Sequence, residues 1–600
     1  MRASFWLAGT AVVGIASLPA IAQQAAQPTA PTQPAPATAP APQPANPATA
    51  VQPGGEPVAS SRPRQTPAAP AEGDSGVAEL GADELPPPPP PIEMPDESRR
   101  DPRVVGRLDP ADFGLATTPW GAANGPMLSV LLRRMDAPLA SRWAHIALRN
   151  ALLARAPAPR LVNPVDWVAE RAWLLLRMGE ADAARMLVSG VDVADFTPKM
   201  FQIAVQSALA NGDAPGLCPL RDGLGKVEPK VAPMVDAMCA SLSGEPESAA
   251  AQMESIRRRG RVGGIDLVLA EKVVGAGADT NRAVTVEWEP VQALNSWRFG
   301  LATATGMVPP ERLINASSPQ LRSWQARSPL LTAQQRLASA RIAAGLGVFS
   351  SQALTDVYAS IYDSTGPDEL SDTDAWQLRV AYVGRDRDTR LSAMRRLWSL
   401  GGNSWDKEAS RAVLGRAAAR IAPSADLQGD AANLIASMLA AGLDRQAARW
   451  AAVVDDMDDA QADACWAMLA LSAPQGVSVD VSNGRISSFI GRDNSPGKQR
   501  SALLVGALAG LGKISVDQLN DFNRRHGLRL ERKTSWTQLI DAAADLDQGG
   551  TVLVLTGTGL QRQEWRDIPG LHLFHSVAAL RKTGQDFSAR MIAAEALART

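Results

Sequence analysis

Cysteine, histidine and tyrosine are all scarce here: 600 residues carry three cysteines, four histidines and three tyrosines, against fifteen tryptophans. With so few His and Cys, no nucleophile-and-base constellation stands out, and no catalytic residue or cofactor is expected. Charge of one sign is also missing. The formal net charge is −2 with 20% charged residues, which gives no long-range field to gather nucleic acid or anionic lipid, so partners must be recognised by local surface. After the first two dozen residues no run is long and apolar enough to span a bilayer.

What is present begins with an address. Arg2, the apolar run Phe5 to Leu18 and the small-x-small site Ala20-Ile21-Ala22 form a signal peptide over residues 1–22, with cleavage expected between Ala22 and Gln23. The alternative is an uncleaved anchor. No cysteine follows the site, which argues against a lipid anchor there. A periplasmic location follows for the mature chain. Residues 23–104 are an Ala/Pro/Gln-rich arm that includes Pro86 to Pro91 and has too few apolar side chains to bury a core, so disorder is expected. The proline run reads as a stiff spacer, with a docking ligand as the alternative.

From about Asp109 the apolar residues take a helical period. Met127 to Met135 and Pro138 to Arg155 predict a first helical pair. Asn163 is placed to cap a helix with Pro164 at its first position; Val168, Ala172, Leu175 and Gly179 fall on one face. Gly179 stops that helix and Glu180 restarts the next, with Ala184 five positions on. Gly244 with Ala249, Gly442 with Ala447, and Gly584 with Ala589 repeat the device. Gly212 matches at the turn but has Leu217 in place of the alanine. The steps from Gly179 to Gly212 and on to Gly244 are 33 and 32 residues, the period of a stacked helix hairpin.

On these residues the chain resembles the tetratricopeptide repeat family over about residues 165 to 260. The family's aromatic residue four before the turn glycine is replaced by Leu175, Ala208 and Ala240, so the repeats are degenerate. The resemblance implies an all-α, TPR-like helix-hairpin solenoid that binds partners and does no chemistry. We assign hairpins to 105–264, an irregular helical continuation to 265–475 (a separate domain being the alternative), and a C-terminal helical region to 476–600. Further helices are predicted at Leu331 to Ala344, Ser351 to Ile361, Asp374 to Val383, Arg390 to Leu400 and Asp406 to Arg420. Within the last region Val477, Val479 and Val481 alternate before Asn483-Gly484 and Ile486, which predicts a β-hairpin near 477–490. Thr551 to Leu555 fits either a buried strand or a helix start.

Few residues invite a chemical role. Cys218 and Cys239 lie on consecutive predicted helices at similar distances from the loop Lys226 to Pro229, so a disulfide is expected; closing a loop of about 20 residues stabilises by roughly 3 kcal/mol. Cys465 reads as a buried small residue. His572 and His575 have the i, i+3 spacing of two metal ligands but nothing completes the set, and no metal is expected. Asp455, Asp456, Asp458 and Asp459 lack the alternation and glycine of a calcium loop. Gly491 to Lys498 departs from the phosphate-loop spacing. Arg257, Arg258, Arg259 and Arg261 suit a helix C-terminus.

The function expected from compartment and resemblance is an exported scaffold or adaptor that binds a protein partner, with no nucleic acid, and supports envelope integrity or assembly. The alternative is a non-catalytic peptidoglycan-binding factor, shaped like the superhelical domains of lytic transglycosylases. Glu254-Ser255 is the sole echo of their motif, and it sits inside a repeat helix.

Overall fold

A left-handed residue ends helix after helix. In the computed structural model, which describes residues 95–260, 262–278 and 285–600, Gly179, Gly212, Gly244, Gly442 and Gly584 have φ of +101°, +60°, +85°, +77° and +79°. A side chain would strain each of these positions. At every one, the next residue's N–H donates back to the carbonyl five positions earlier, as from Glu180 to Leu175 (2.7 Å) and from Gln585 to Leu580 (2.9 Å). These bonds satisfy the last carbonyls of the outgoing helix. The chain reverses there, and Ala184, Ala249, Ala447 and Ala589 are fully buried where the returning helix meets the outgoing one. Leu217 stands in a different local structure: Pro215 and Gly216 open a 3-10 turn, Pro215–Leu220, in place of an α-helix, and Leu217 is fully buried there.

The result is an all-α stack of helix hairpins. Helix Pro164–Met178 starts as its sequence dictates, with the Asn163 side chain accepting from the N–H groups of Val165 (2.9 Å) and Asp166 (3.2 Å). The predicted helices downstream are found as Ala333–Leu346, Ser351–Ser364, Asp374–Val383, Arg387–Trp398 and Ser404–Ala418. Residues from Arg100 to Thr600 belong to one unit; of the chain before it, the 3-10 turn Asp96–Ser98 and its flanks are described. The signal segment with Ala22 and Gln23, and the arm through Met94, lie outside the described residues.

Two expectations change, and one open alternative is decided. No strand forms at 477–490: Ser482 caps a helix, its hydroxyl accepting from the Arg485 N–H, and Asn483-Gly484 supply the first positions of helix Asn483–Arg492. Ile486, Phe489 and Ile490 then fall at i, i+3, i+4 and are buried, whereas a hairpin would have split them between two faces. The valines before them lie in irregular chain without a strand partner among the described residues, fastened where Trp466 Nε1 donates to the Asp480 carbonyl (2.7 Å). The small sheet that does exist pairs Val104–Val105 with Ala156–Pro157, antiparallel. Its carbonyl at Val105 and the nearby carbonyl of Ala154 accept from the Arg171 guanidinium (2.6 and 3.1 Å), whose pKa burial pushes down to about 9. Cys218, in turn, is on the 3-10 turn and not on an α-helix. Thr551 to Leu555 lie in helix Gly549–Gly559, apolar and buried on all sides.

The array also meets itself. Helix Arg142–Leu153 near its start packs against Gly549–Gly559 and Asp586–Ala598 near its end. The buried Glu595 carboxylate accepts from Ser141 Oγ (2.6 Å) and from the N–H groups of Arg142 (2.8 Å) and Trp143 (3.2 Å), so a residue of the last helix caps an early one. Arg142 turns inward, donating to the carbonyls of Ala344 (2.9 Å), Ala440 (2.8 Å) and Phe349 (3.3 Å). One main core therefore runs from Val105 to Leu597, with a second, smaller one between Ala204 and Ala302.

Candidate interaction surface

Residues with chemical potential are mostly committed to packing. Cys218 and Cys239 are joined by a disulfide, Cα atoms 5.6 Å apart, that ties the 3-10 turn to helix Ala232–Leu242 within the smaller core. Cys465 is fully buried, and burial pushes its thiol up to about 12, which keeps it protonated and unreactive. Asp459 and Asp463 pair with Arg492, and Asp458 accepts from the Gln428 amide (3.0 Å). Arg257 pairs with Glu254 and Glu271. Helix Pro246–Arg259 does place Arg257, Arg258 and Arg259 in its last turn, before Gly260 at φ +62°; Arg261 lies outside the described residues.

The two spaced histidines are not brought to one point. His572 Nδ1 bonds the Gly559 carbonyl (2.9 Å) with the Trp536 ring tilted against it at 4.5 Å, and His575 Nδ1 bonds Asp541 (2.7 Å). Among the described residues no group of three potential ligands could hold a metal ion. Beside His572 lies an open cleft of about 240 Å³ lined by Thr558, Gln561, Arg562, Asp567 and Pro569 among others. Its Gln561 is already held by the Asp136 N–H (2.8 Å).

His145 is buried among charges: Glu180 accepts at 3.0 Å, and Arg149 and Arg142 stand nearby. Burial dominates and lowers its pKa, with Glu180 opposing; burial lowers His572 likewise. In both, the folded pKa lies below the unfolded value of about 6.5, so the unfolded chain takes up protons first. Stability is present above that value and is lost as the pH falls through the folded pKa values, by up to about 1.4 kcal/mol per histidine per unit. Urea unfolding at about pH 7.5 and about pH 5.5 should show the loss, and His145→Asn should flatten it.

One surface is built differently. Helix Asp374–Val383 buries Ala375, Leu378 and Ala381 against its neighbours, yet Trp376, Val380 and Val383 recur at i, i+4, i+7 on its other side. Val383 is 61% exposed. The half-buried Trp376 stacks on Tyr362 of helix Ser351–Ser364, centroids 6.3 Å apart and planes 6° apart. The exposed Arg379 lays its guanidinium over the other ring at 5.0 Å. Trp120, Trp167, Trp324, Trp450 and Trp565 are wholly buried, whereas Trp376 is half-buried and pairs with Tyr362 beside Arg379, a cation with no carboxylate partner among the described residues. This surface was visible in the sequence only as a helix apolar on two faces.

No family model matches the chain, and neither a curated protein nor a solved structure does.

Proposed function

We propose that the chain is an exported, non-enzymatic helical-repeat scaffold of the tetratricopeptide type, which binds a protein partner in the periplasm and supports the envelope's integrity or assembly. The observation that carries it is the surface of Tyr362, Trp376, Arg379 and Val383. Trp, Tyr and Arg are the residues that dominate binding energy at protein interfaces, because they offer large apolar area with few rotors and a directional polar end. A partner segment that fits presents a carboxylate to Arg379 and an aliphatic side chain to Val383. The Cys218–Cys239 disulfide supports an oxidising compartment, in agreement with the signal-like start.

The parallel rings of Trp376 and Tyr362 favour one other reading, stacking on a sugar face, which would make the ligand peptidoglycan. A photoreactive residue at position 383 distinguishes the two in intact envelopes. The scaffold requires a discrete protein adduct that disappears in Trp376→Ala, where about 2 kcal/mol of binding should be lost. Adducts carrying muropeptides would favour the wall, and no adduct of either kind would remove this surface from the account.

A further inference from the structure

A second exposed region lies at the far end of the chain. Between Arg524 and Lys533 five cations, Arg524, Arg525, Arg529, Arg532 and Lys533, stand against one carboxylate, Glu531. Arg524 and Arg525 share Asp521 one turn back on helix Val516–His526. Arg529, Arg532 and Lys533 are exposed and have no partner among the described residues. Their segment is held by its neighbours: Leu528 and Leu530 are buried, and the Leu530 N–H donates to Asn523 (3.0 Å). Arg529 between them sits at φ +59°, a left-handed conformation unusual for arginine, which turns the side chain outward.

This segment leads straight into helix Ser535–Asp545. There Ser535, Leu539, Ala542 and, just past its end, Leu546 recur at i, i+4, i+7, i+11, all exposed; Leu546 is 68% and Leu539 42% accessible. The helix's acidic residues are on another flank and already engaged, Asp541 with His575 (2.7 Å) and Asp545 with Lys582. What remains outward is a stripe of Leu539, Ala542 and Leu546 continuous with Arg529, Arg532 and Lys533, with Glu531 and Asp547 as exposed carboxylates beside it.

We propose that Arg529, Arg532 and Lys533 with the Leu539–Leu546 stripe seat the protein on the surface of an anionic phospholipid bilayer. The cations meet lipid phosphates and the leucines enter the headgroup boundary. The layout favours a lipid surface over an acidic peptide: three exposed cations lead directly into a helix whose outward face carries Leu539 and Leu546, and an interfacial helix needs that combination of basic residues and an adjoining apolar stripe. The chain's near-zero net charge makes the attraction local and sensitive to salt.

Co-sedimentation of the full chain with vesicles of phosphatidylcholine alone, and of phosphatidylcholine with phosphatidylglycerol, tests it. Binding to the anionic vesicles only, weakening as salt is raised, is expected. The triple variant Arg529→Asn, Arg532→Gln, Lys533→Gln keeps a residue that tolerates the left-handed backbone and should bind about 100-fold more weakly. Arg532→Gln with Lys533→Gln alone leaves that backbone untouched and should lose about 30-fold. Leu539→Ser with Leu546→Ser should lose about tenfold and make the remainder fully salt-sensitive. The proposal is overturned if the wild-type chain ignores anionic vesicles, as it would if the patch serves an acidic protein, if it binds neutral vesicles equally, or if folded triple variant binds like wild type.

Discussion

Arg142→Ala should destabilise the folded chain by about 3–5 kcal/mol, because it strips a buried cation from a site where its partners cannot reach water. The guanidinium satisfies three carbonyls at once, those of Ala344, Phe349 and Ala440, which lie at or just beyond the C-terminal ends of helices Ala333–Leu346 and Gln428–Ala440. Its charge also faces Glu408 and Glu595. Burial already raises the Glu408 carboxyl above its usual range, with the Arg599 and Arg142 guanidinium groups opposing. Arg142→Lys retains the charge but cannot direct donors to three acceptors, so an intermediate loss is expected. Urea unfolding followed by circular dichroism gives the comparison. If alanine there cost less than about 1 kcal/mol, the interpretation of this site as the pin between distant helices would fail.

Trp167→Ala should rank close behind, at about 3–5 kcal/mol, for the different reason that it empties the core. Trp167 on helix Pro164–Met178 meets Trp120 edge to face at 5.1 Å and 81°, and each is 1% exposed. The neighbouring Pro119 carbonyl accepts from the Gly550 N–H (2.9 Å), so the pair also secures the approach to helix Gly549–Gly559. Neither indole N–H has an acceptor among the described residues. Trp167→Phe therefore removes an unsatisfied donor along with some volume and should recover most of the loss. Thermal unfolding of the two variants separates the cost of the cavity from the relief of the unpaired donor.

Local chemistry explains which parts of this fold were legible. The turn at Gly179 could be read because few residues other than glycine tolerate φ near +100°, and helix Pro164–Met178 because Asn163 and Pro164 act within one turn of each other. The region around Asn483 misled for the same local reason: Asn-Gly suits a tight turn and equally the positions after a serine cap, and three alternating valines are too short to fix a period. Contacts across hundreds of residues left no trace. Arg142 and Glu595 look like surface charges in a linear reading, and only their joint burial reveals the polar seam. The Trp376 and Tyr362 surface was hidden in another way, since a tryptophan on a helix is ordinarily core.

That seam has a consequence for how the protein is made. A chain emerges from its N-terminus, and an ordinary hairpin can close on its neighbour within a few dozen residues. Helix Arg142–Leu153 cannot, because the carboxylate that caps it belongs to Glu595 and one of the helices covering it is Asp586–Ala598. Its apolar flank stays uncovered while more than 400 further residues, on the order of half a minute of synthesis, are added. Folding of this molecule thus ends where it began, and throughout that interval the exposed early helix is a place for chaperones to hold.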